Sequence, residues 1–276
     1  MAANAGCLDR TKPEKNSSVL PVAVTFIDAN TNYQYNANIW SAIMFPRLLA
    51  TAALIVALPI SAQAATAERL VVVELFTSQG CSSCPPADAY LSELSRDRSD
   101  VLPLAFHVTY WNNLGWKDPY SFDAATQRQA AYAARFGDGS YTPEIVVDGR
   151  RESVGSDRRS SEAAIAAAKQ AGAINTLLSA TRANNGISIN VGAGSGNARV
   201  MLVGYDSEHR TTVGRGENNG HTLTESNIVR SIQLVGQWTG APLALNAAMP
   251  VGEKAAVILE APDGSVVGAA RVGMPS

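Results

Sequence analysis

Cysteine and histidine are scarce in this chain, three of each among 276 residues. So few cysteines exclude a small scaffold stapled by disulfides. Basic residues hold no excess: 22 Lys+Arg face 24 Asp+Glu, a formal net charge of -2. That removes the positive surface nucleic-acid binding needs. Gly 22 and Pro 13 are too few for a low-complexity chain. No repeat at fixed spacing supports a solenoid. Neither a dinucleotide fingerprint nor a phosphate-cradling glycine loop occurs, so no organic cofactor is implied. What is present is ordinary globular material, 46% hydrophobic and 17% charged, enough for one large or two small cores.

The longest apolar run is short. Residues 48–60 (LLATAALIVALPI) follow Met44-Phe45-Pro46-Arg47 and precede Ser61-Ala62-Gln63-Ala64. A positive start, a short apolar stretch and a small-residue A-x-A end make a secretory signal peptide over 44–64. At about 1.5 Å per residue the run falls short of the roughly 30 Å hydrocarbon layer, so no stable membrane insertion is expected. Residues 1–43 are polar and without period, and read as an upstream extension ahead of the true start at Met44. Removal of the leader takes Cys7 with it and leaves Cys81 and Cys84. An even pair in an exported chain fits oxidising surroundings, so the expected location is periplasmic or secreted.

Two halves of different character follow. Over 65–173, strands and helices alternate: strands are expected at Leu70–Phe76, Val101–His107, Glu144–Val147 and Glu152–Val154. Helices are expected from Pro85, over Phe122–Phe136 with Ser121 as N-cap and Gly137 as stop, and over Ser161–Ala171. Over 174–276, short strands at 187–191, Arg199–Val203, Ile228–Val235, Ala255–Glu260 and Val266–Val272 suggest a β-sandwich. Asn219-Gly220 and Asp263-Gly264 read as hairpin turns. The linker is expected near Ile174–Arg182.

Chemistry centres on Cys81-Ser82-Ser83-Cys84, which follows a strand and opens a helix. The spacing allows the two sulfurs to bond with little backbone distortion. Cys81, at or just before the helix N-terminus, meets the positive end of the helix dipole, which favours thiolate. Cys84, in the first turn, is the shielded, resolving thiol. A second element, Tyr141-Thr142-Pro143-Glu144-Ile145-Val146-Val147-Asp148-Gly149, brings a Thr-Pro into a strand that ends in a turn.

Together these two elements resemble the thioredoxin superfamily, and Val73-Glu74-Leu75-Phe76 with the Thr-Pro resembles its periplasmic disulfide oxidoreductase branch. The resemblance implies a thioredoxin-like α/β domain, a cis Pro143 facing the cysteines, and Thr142 offering backbone groups to a peptide. It also implies that Glu74 moves the resolving cysteine's proton, although Glu74 lies about one residue further from Cys81 than in those relatives. The strings Glu74–Asp88 (ELFTSQGCSSCPPAD), His107–Pro119 (HVTYWNNLGWKDP) and Gly216–Gly220 (GENNG) are similar to the secreted bacterial domain-of-unknown-function family numbered 1223. That resemblance implies fold and export and supplies no substrate.

Three readings of the cysteines stay open. In the first, the protein exchanges disulfides with a protein or peptide substrate: Cys81 forms the mixed disulfide, Cys84 resolves it, and Tyr110, Trp111 and Trp116 form an aromatic rim. In the second, Cys81, Cys84 and His107 hold Cu(I) or Zn²⁺, although tetrahedral zinc wants four ligands and His209 and His221 lie in the other half. In the third, the pair is a structural staple in a non-enzymatic binding module. So short a loop removes little unfolded-state entropy, which argues against a purely structural bond. His107 itself reads either as a group tuning the thiolate or as a packed side chain bonded to backbone. The turn Arg215–Gly220 (RGENNG) reads as a tight turn.

Overall fold

A computed structural model of the protein describes residues 70–171 and 176–274. The upstream extension and leader expected over 1–64 lie outside the described residues, as do 172–175, where the expected linker begins.

The apolar run after the leader forms strand β1 (Val71–Thr77), buried at every position. It is buried because it is central: it pairs in parallel with β2 (Val101–His107) and antiparallel with β3 (Glu144–Val147). Helix α1 (Pro85–Asp97) starts on two prolines, whose missing N–H groups have no intrahelical partner at that position in any case. Helix α2 (Asp123–Phe136) ends at Gly137 in the left-handed conformation (φ 86°), the expected stop. Its N-cap is Phe122 and not Ser121, whose hydroxyl instead donates to the Asp118 carbonyl. After β4 (Arg151–Val154), helix α3 (Arg158–Gln170) begins three residues earlier than expected, because Asp157 accepts from the Ser160 N–H as its cap.

The C-terminal part adds β5 (Leu178–Ala183), β6 (Gly186–Val191), β7 (Ala198–Thr212), β8 (Thr222–Trp238), β9 (Leu243–Ala247), β10 (Lys254–Glu260) and β11 (Val266–Arg271). β5 occupies the stretch expected as linker; its inward-facing Ala180 is too small to mark a strand in the sequence. β7 and β8 run far beyond their expected ends. Their polar distal parts stay paired, from Glu208↔Ser226 to Thr212↔Thr222, as an arm that hydrophobic pattern does not mark.

These strands make one mixed α/β architecture with a large sheet of order β11-β10-β7-β8-β2-β1-β3-β4 and a second sheet β5-β6-β9. The large sheet crosses the boundary expected at 173/174, through a parallel β2–β8 contact at Ala105↔Ile228. Asn227 (φ 51°) secures that seam by donating its side-chain amide to the Pro103 carbonyl at 2.8 Å. One face of the large sheet packs Val72, Phe76, Leu104 and Phe106 against Ala125 and Tyr132 of α2. The other face is covered by α1 and α3 over β1–β3. Further along that sheet, β5-β6-β9 packs Ile187 and Ile189 against Val200, Leu202 and Val257. Among the described residues no helix is long and apolar enough to cross a membrane.

Alternation along β1 puts Glu74 on the α2 face with Val72 and Phe76. There its carboxylate is buried against Arg128 of α2, which also donates to Glu260 of β10 at 2.9 Å. Tyr132 donates to the same Glu74 at 2.8 Å. Burial pushes the Glu260 carboxyl up, but Arg128 and Arg199 more than offset it and hold its pKa below the ordinary value. Removing Arg128 leaves buried Glu74 without a counter-charge and Glu260 with Arg199 alone, so Arg128→Met is expected to cost about 3–5 kcal/mol in urea unfolding at pH 7. A loss under about 1 kcal/mol is the surface-pair result and would contradict this role.

Candidate functional site

β1 runs into Ser78-Gln79-Gly80 and then the cysteines. Cys81 and Cys84 form a disulfide (S–S 2.09 Å), with Cys84 as N-cap of α1. Cys81 therefore sits three residues before the N-cap, and its Sγ lies 3.4 Å from the Ser83 hydroxyl. Both cysteines are wholly buried while Ser82 and Ser83 are exposed. The resemblance to exchange enzymes required an approachable Cys81, so its burial is a departure. The loop between β7 and β8 fastens the turn that holds the cysteines. Glu217 accepts from the Ser82 N–H (3.0 Å) and hydroxyl (2.7 Å). Asn218 donates to the carbonyls of Gln79 (3.0 Å) and Cys81 (2.9 Å).

The Thr142-Pro143 bond is cis, as the resemblance implied. Pro143 meets α1 at Gly155: a Cβ there would lie 2.9 Å from the Ala87 Cβ and 3.0 Å from the Pro143 Cβ. Gly155 thus sits between the β3 entry and the first turn of α1, where a side chain would not fit. Trp111 ties the β3 entry to the segment ahead of the cysteines, donating its indole N–H to the Thr142 hydroxyl at 2.8 Å while its Cβ packs beside Gly80. Trp116 donates to the Gln79 side-chain oxygen at 3.1 Å. Tyr110 is 39% exposed and its hydroxyl interacts with Gln129 and Thr142; burial still holds its pKa up. Of the three aromatics expected as a rim, Trp111 and Trp116 touch the Gln79-Gly80 segment ahead of the cysteines, and Tyr110 sits against Gln129 and Thr142.

Glu74 does not join them. It lies on the α2 face of the sheet, opposite α1, so a role in moving the Cys84 proton is corrected. Its even position on β1, in phase with Val72 and Phe76, decides this. The carboxylate beside the cysteines is Asp88, one helical turn after Cys84 and on the same helix face. Asp88 accepts from the Thr77 hydroxyl at 2.8 Å. His107, at the end of β2, bonds through Nδ1 to Asp118 at 2.7 Å and not to backbone. Its Nε2 lies 3.8 Å from Glu225 of β8. Asp88 Oδ2, His107 Nε2 and Glu225 Oε1 are buried without a hydrogen-bond partner.

This cluster shifts its own protons. Burial, then the Glu225 charge, pushes the Asp88 carboxyl up to about 8. Burial would lower the His107 pKa, but Asp118 and Glu225 more than offset it and raise it to about 9. Burial raises Glu225; Asp118, facing the imidazolium, is held below its ordinary value. Among the described residues no His, Cys, Asp and Glu group is arranged to hold a metal ion. With both sulfurs bonded to each other, the Cys81-Cys84-His107 metal set is not formed here.

Asp88, Asp118, Glu225, Gln79, Glu217 and Asn218 escaped sequence reasoning. Only Asp88 left a signal, its position four residues beyond Cys84. Gln79 lies two residues before Cys81, and the rest reach the site from distant segments.

Residues 72–260 match the family described as protein of unknown function DUF1223. The chain belongs to that DUF1223 family. Among solved structures, a crystallised protein of Agrobacterium tumefaciens is similar at 33% identity and TM-score 0.64, over 73% of this chain and 93% of that one. HBP35 of Porphyromonas gingivalis is similar at 13% identity and TM-score 0.50 over 74% of each chain, a likeness of fold alone. A search of curated proteins finds no match.

For this DUF1223 chain the buried cluster sets a pH dependence. A raised histidine pKa stabilises fully below about 6.5 and is lost as pH rises through about 9. A raised carboxyl destabilises as pH rises from its unfolded value of 3.8 to about 8. Both signs agree, so stability falls between pH 6.5 and 9. Denaturant unfolding of Asp88→Asn should show that slope reduced by up to one proton, about 1.4 kcal/mol per pH unit. An unchanged slope would remove Asp88 from the titration.

Proposed function

We propose that this is an exported thiol–disulfide oxidoreductase-like protein, acting on a protein or peptide substrate through Cys81 and Cys84. The observation that carries it is the Cys81–Cys84 bond ahead of a helix whose first turn packs, through Gly155, on the cis Thr142-Pro143 segment. A thioredoxin-like first half joined to a C-terminal β-sandwich is the finer fold reading within the same proposal. It is supported by the order β1-α1-β2-α2-β3-β4-α3 and by the packing of β5-β6-β9 on the larger sheet. Periplasmic or secreted location rests on the leader at 44–64 and on the cysteine pair.

In the forward step a substrate thiolate attacks Cys81 Sγ, the Cys81–Cys84 bond breaks, and Cys84 leaves as thiolate. The substrate is then joined to Cys81 as a mixed disulfide. A second substrate thiol releases Cys81 and completes substrate oxidation; in reverse, reduced Cys81 attacks a substrate disulfide and Cys84 resolves it. Asp88, protonated near neutral pH and one turn from Cys84, is placed to exchange a proton with the departing sulfur. Thr142, bonded to Trp111, is the residue this reading assigns to the substrate backbone.

Cys84→Ser should trap substrates on Cys81 as mixed disulfides that dithiothreitol releases, detected by non-reducing electrophoresis of exported extracts. Complete absence of trapped species, with Cys81 unreactive, would oppose exchange.

The burial of both sulfurs favours a second reading, a structural disulfide in a binding module. In that case the Cys81→Ser, Cys84→Ser double variant keeps all activity, and the bond resists glutathione buffers.

A further inference from the structure

The loop over the disulfide is built differently from the rest of the site. Between Val213 and His221, at the tip of the β7–β8 arm, the chain closes on itself: Val213 N–H donates to the His221 carbonyl and Gly220 N–H to the Val213 carbonyl. Gly216 (φ 77°) and Gly220 (φ 80°) take the left-handed conformation that glycine adopts at no steric cost. From Gly214 to Gly220 only Asn218 is buried. The segment therefore contributes almost no apolar surface to the core and has little burial to hold it down.

Its attachment is small and polar. Glu217 holds Ser82 in the open, at an exposed pair of hydrogen bonds. Asn218 reaches inward to the carbonyls that flank Gly80. Beneath lies the Gly115-Trp116 turn: Gly216 leaves room for the Trp116 Cβ, which a side chain there would meet at 3.3 Å. Asn218 is buried together with Gln79, Gly80 and Cys81, whereas Glu217 and Asn219 on either side of it are exposed. One side chain makes the boundary.

We propose that residues 214–220 form an opening cap over the Cys81–Cys84 bond, closed by Glu217 and Asn218, whose displacement admits an incoming thiol to Cys81. The cap deepens the redox reading and rests on it. It reconciles wholly buried sulfurs with exchange: the resting protein shields its disulfide, and reaction requires a minor open state. Opening breaks the four hydrogen bonds of Glu217 and Asn218 and leaves the arm, the sheet and the Gln79 contacts to Trp116 and Glu225 in place.

The test is the rate at which dithiothreitol reduces the oxidised protein, followed by acid quench, alkylation and mass spectrometry. One dithiothreitol thiolate attacks Cys81 and releases Cys84; its second thiol then cyclises and frees Cys81, so one bond is reduced and one dithiothreitol oxidised. Asn218→Ala and Glu217→Gln should be reduced at least about tenfold faster, equal to about 1.4 kcal/mol of cap closure. Asn219→Ala, in the same loop and exposed, should match the parent. Thermal unfolding of each variant separates cap opening from loss of fold, and hydrogen exchange at Ser82 should quicken only in the first two.

Reduction at equal rates in parent and cap variants would overturn the cap and leave the redox reading standing. Failure of all folded variants to be reduced, with reduction only after denaturation, would overturn both in favour of a staple.

Discussion

A single buried amide holds the site together. Gln79 is wholly buried and uses every polar group it has. Its N–H donates to Asp118 at 2.8 Å, its carbonyl accepts from Asn218, its side-chain oxygen accepts from Trp116, and its side-chain nitrogen donates to Glu225 at 2.6 Å. Those partners come from the loop after β2, the tip of the β7–β8 arm and β8 itself. An orphaned buried donor or acceptor costs about 1–3 kcal/mol, so each partner depends on the others staying put. Cys81, two residues on, inherits its position from this knot.

The charge cluster gains its properties from the same enclosure. Asp88, His107, Asp118 and Glu225 would be unremarked on a surface. Drawn together between α1, β2 and β8, they lose water and must settle their charges among themselves. Desolvation favours neutral carboxyls, and the imidazolium favours ionised ones. Asp118, in contact with the ring, is held ionised, whereas Asp88, bonded only to a hydroxyl, is pushed the other way. Two carboxyls of one buried cluster are thus pushed in opposite directions by opposed environments.

The large sheet explains why the C-terminal half matters here. Because β8 pairs with β2, the first half does not own its site: Glu225, Glu217 and Asn218 all arrive on the β7–β8 arm. Glu217 and Asn218 at the cysteine turn, and one of the four buried ionisable groups, Glu225, are thus supplied from beyond the boundary that composition suggested.

Much of the fold was legible from the chain. β2 and β3 fall where their apolar runs place them, Gly137 stops α2, and two prolines open α1, because these signals act through local backbone geometry. The cysteine pair, the cis Thr142-Pro143 bond and the aromatics near the cysteines were also anticipated, from residues adjacent in sequence or from family resemblance. Glu74 misled because residue type says nothing of face: one step along a strand reverses the side chain, and only the pairing frame fixes its direction. β5 and the outer arm were missed because pairing, not hydrophobicity, makes them strands. Which carboxylate neighbours the cysteines, what covers them and how Gln79 is satisfied were decided by tertiary structure alone. Hydrogen bonds and desolvation act through space, between segments that no sequence spacing relates.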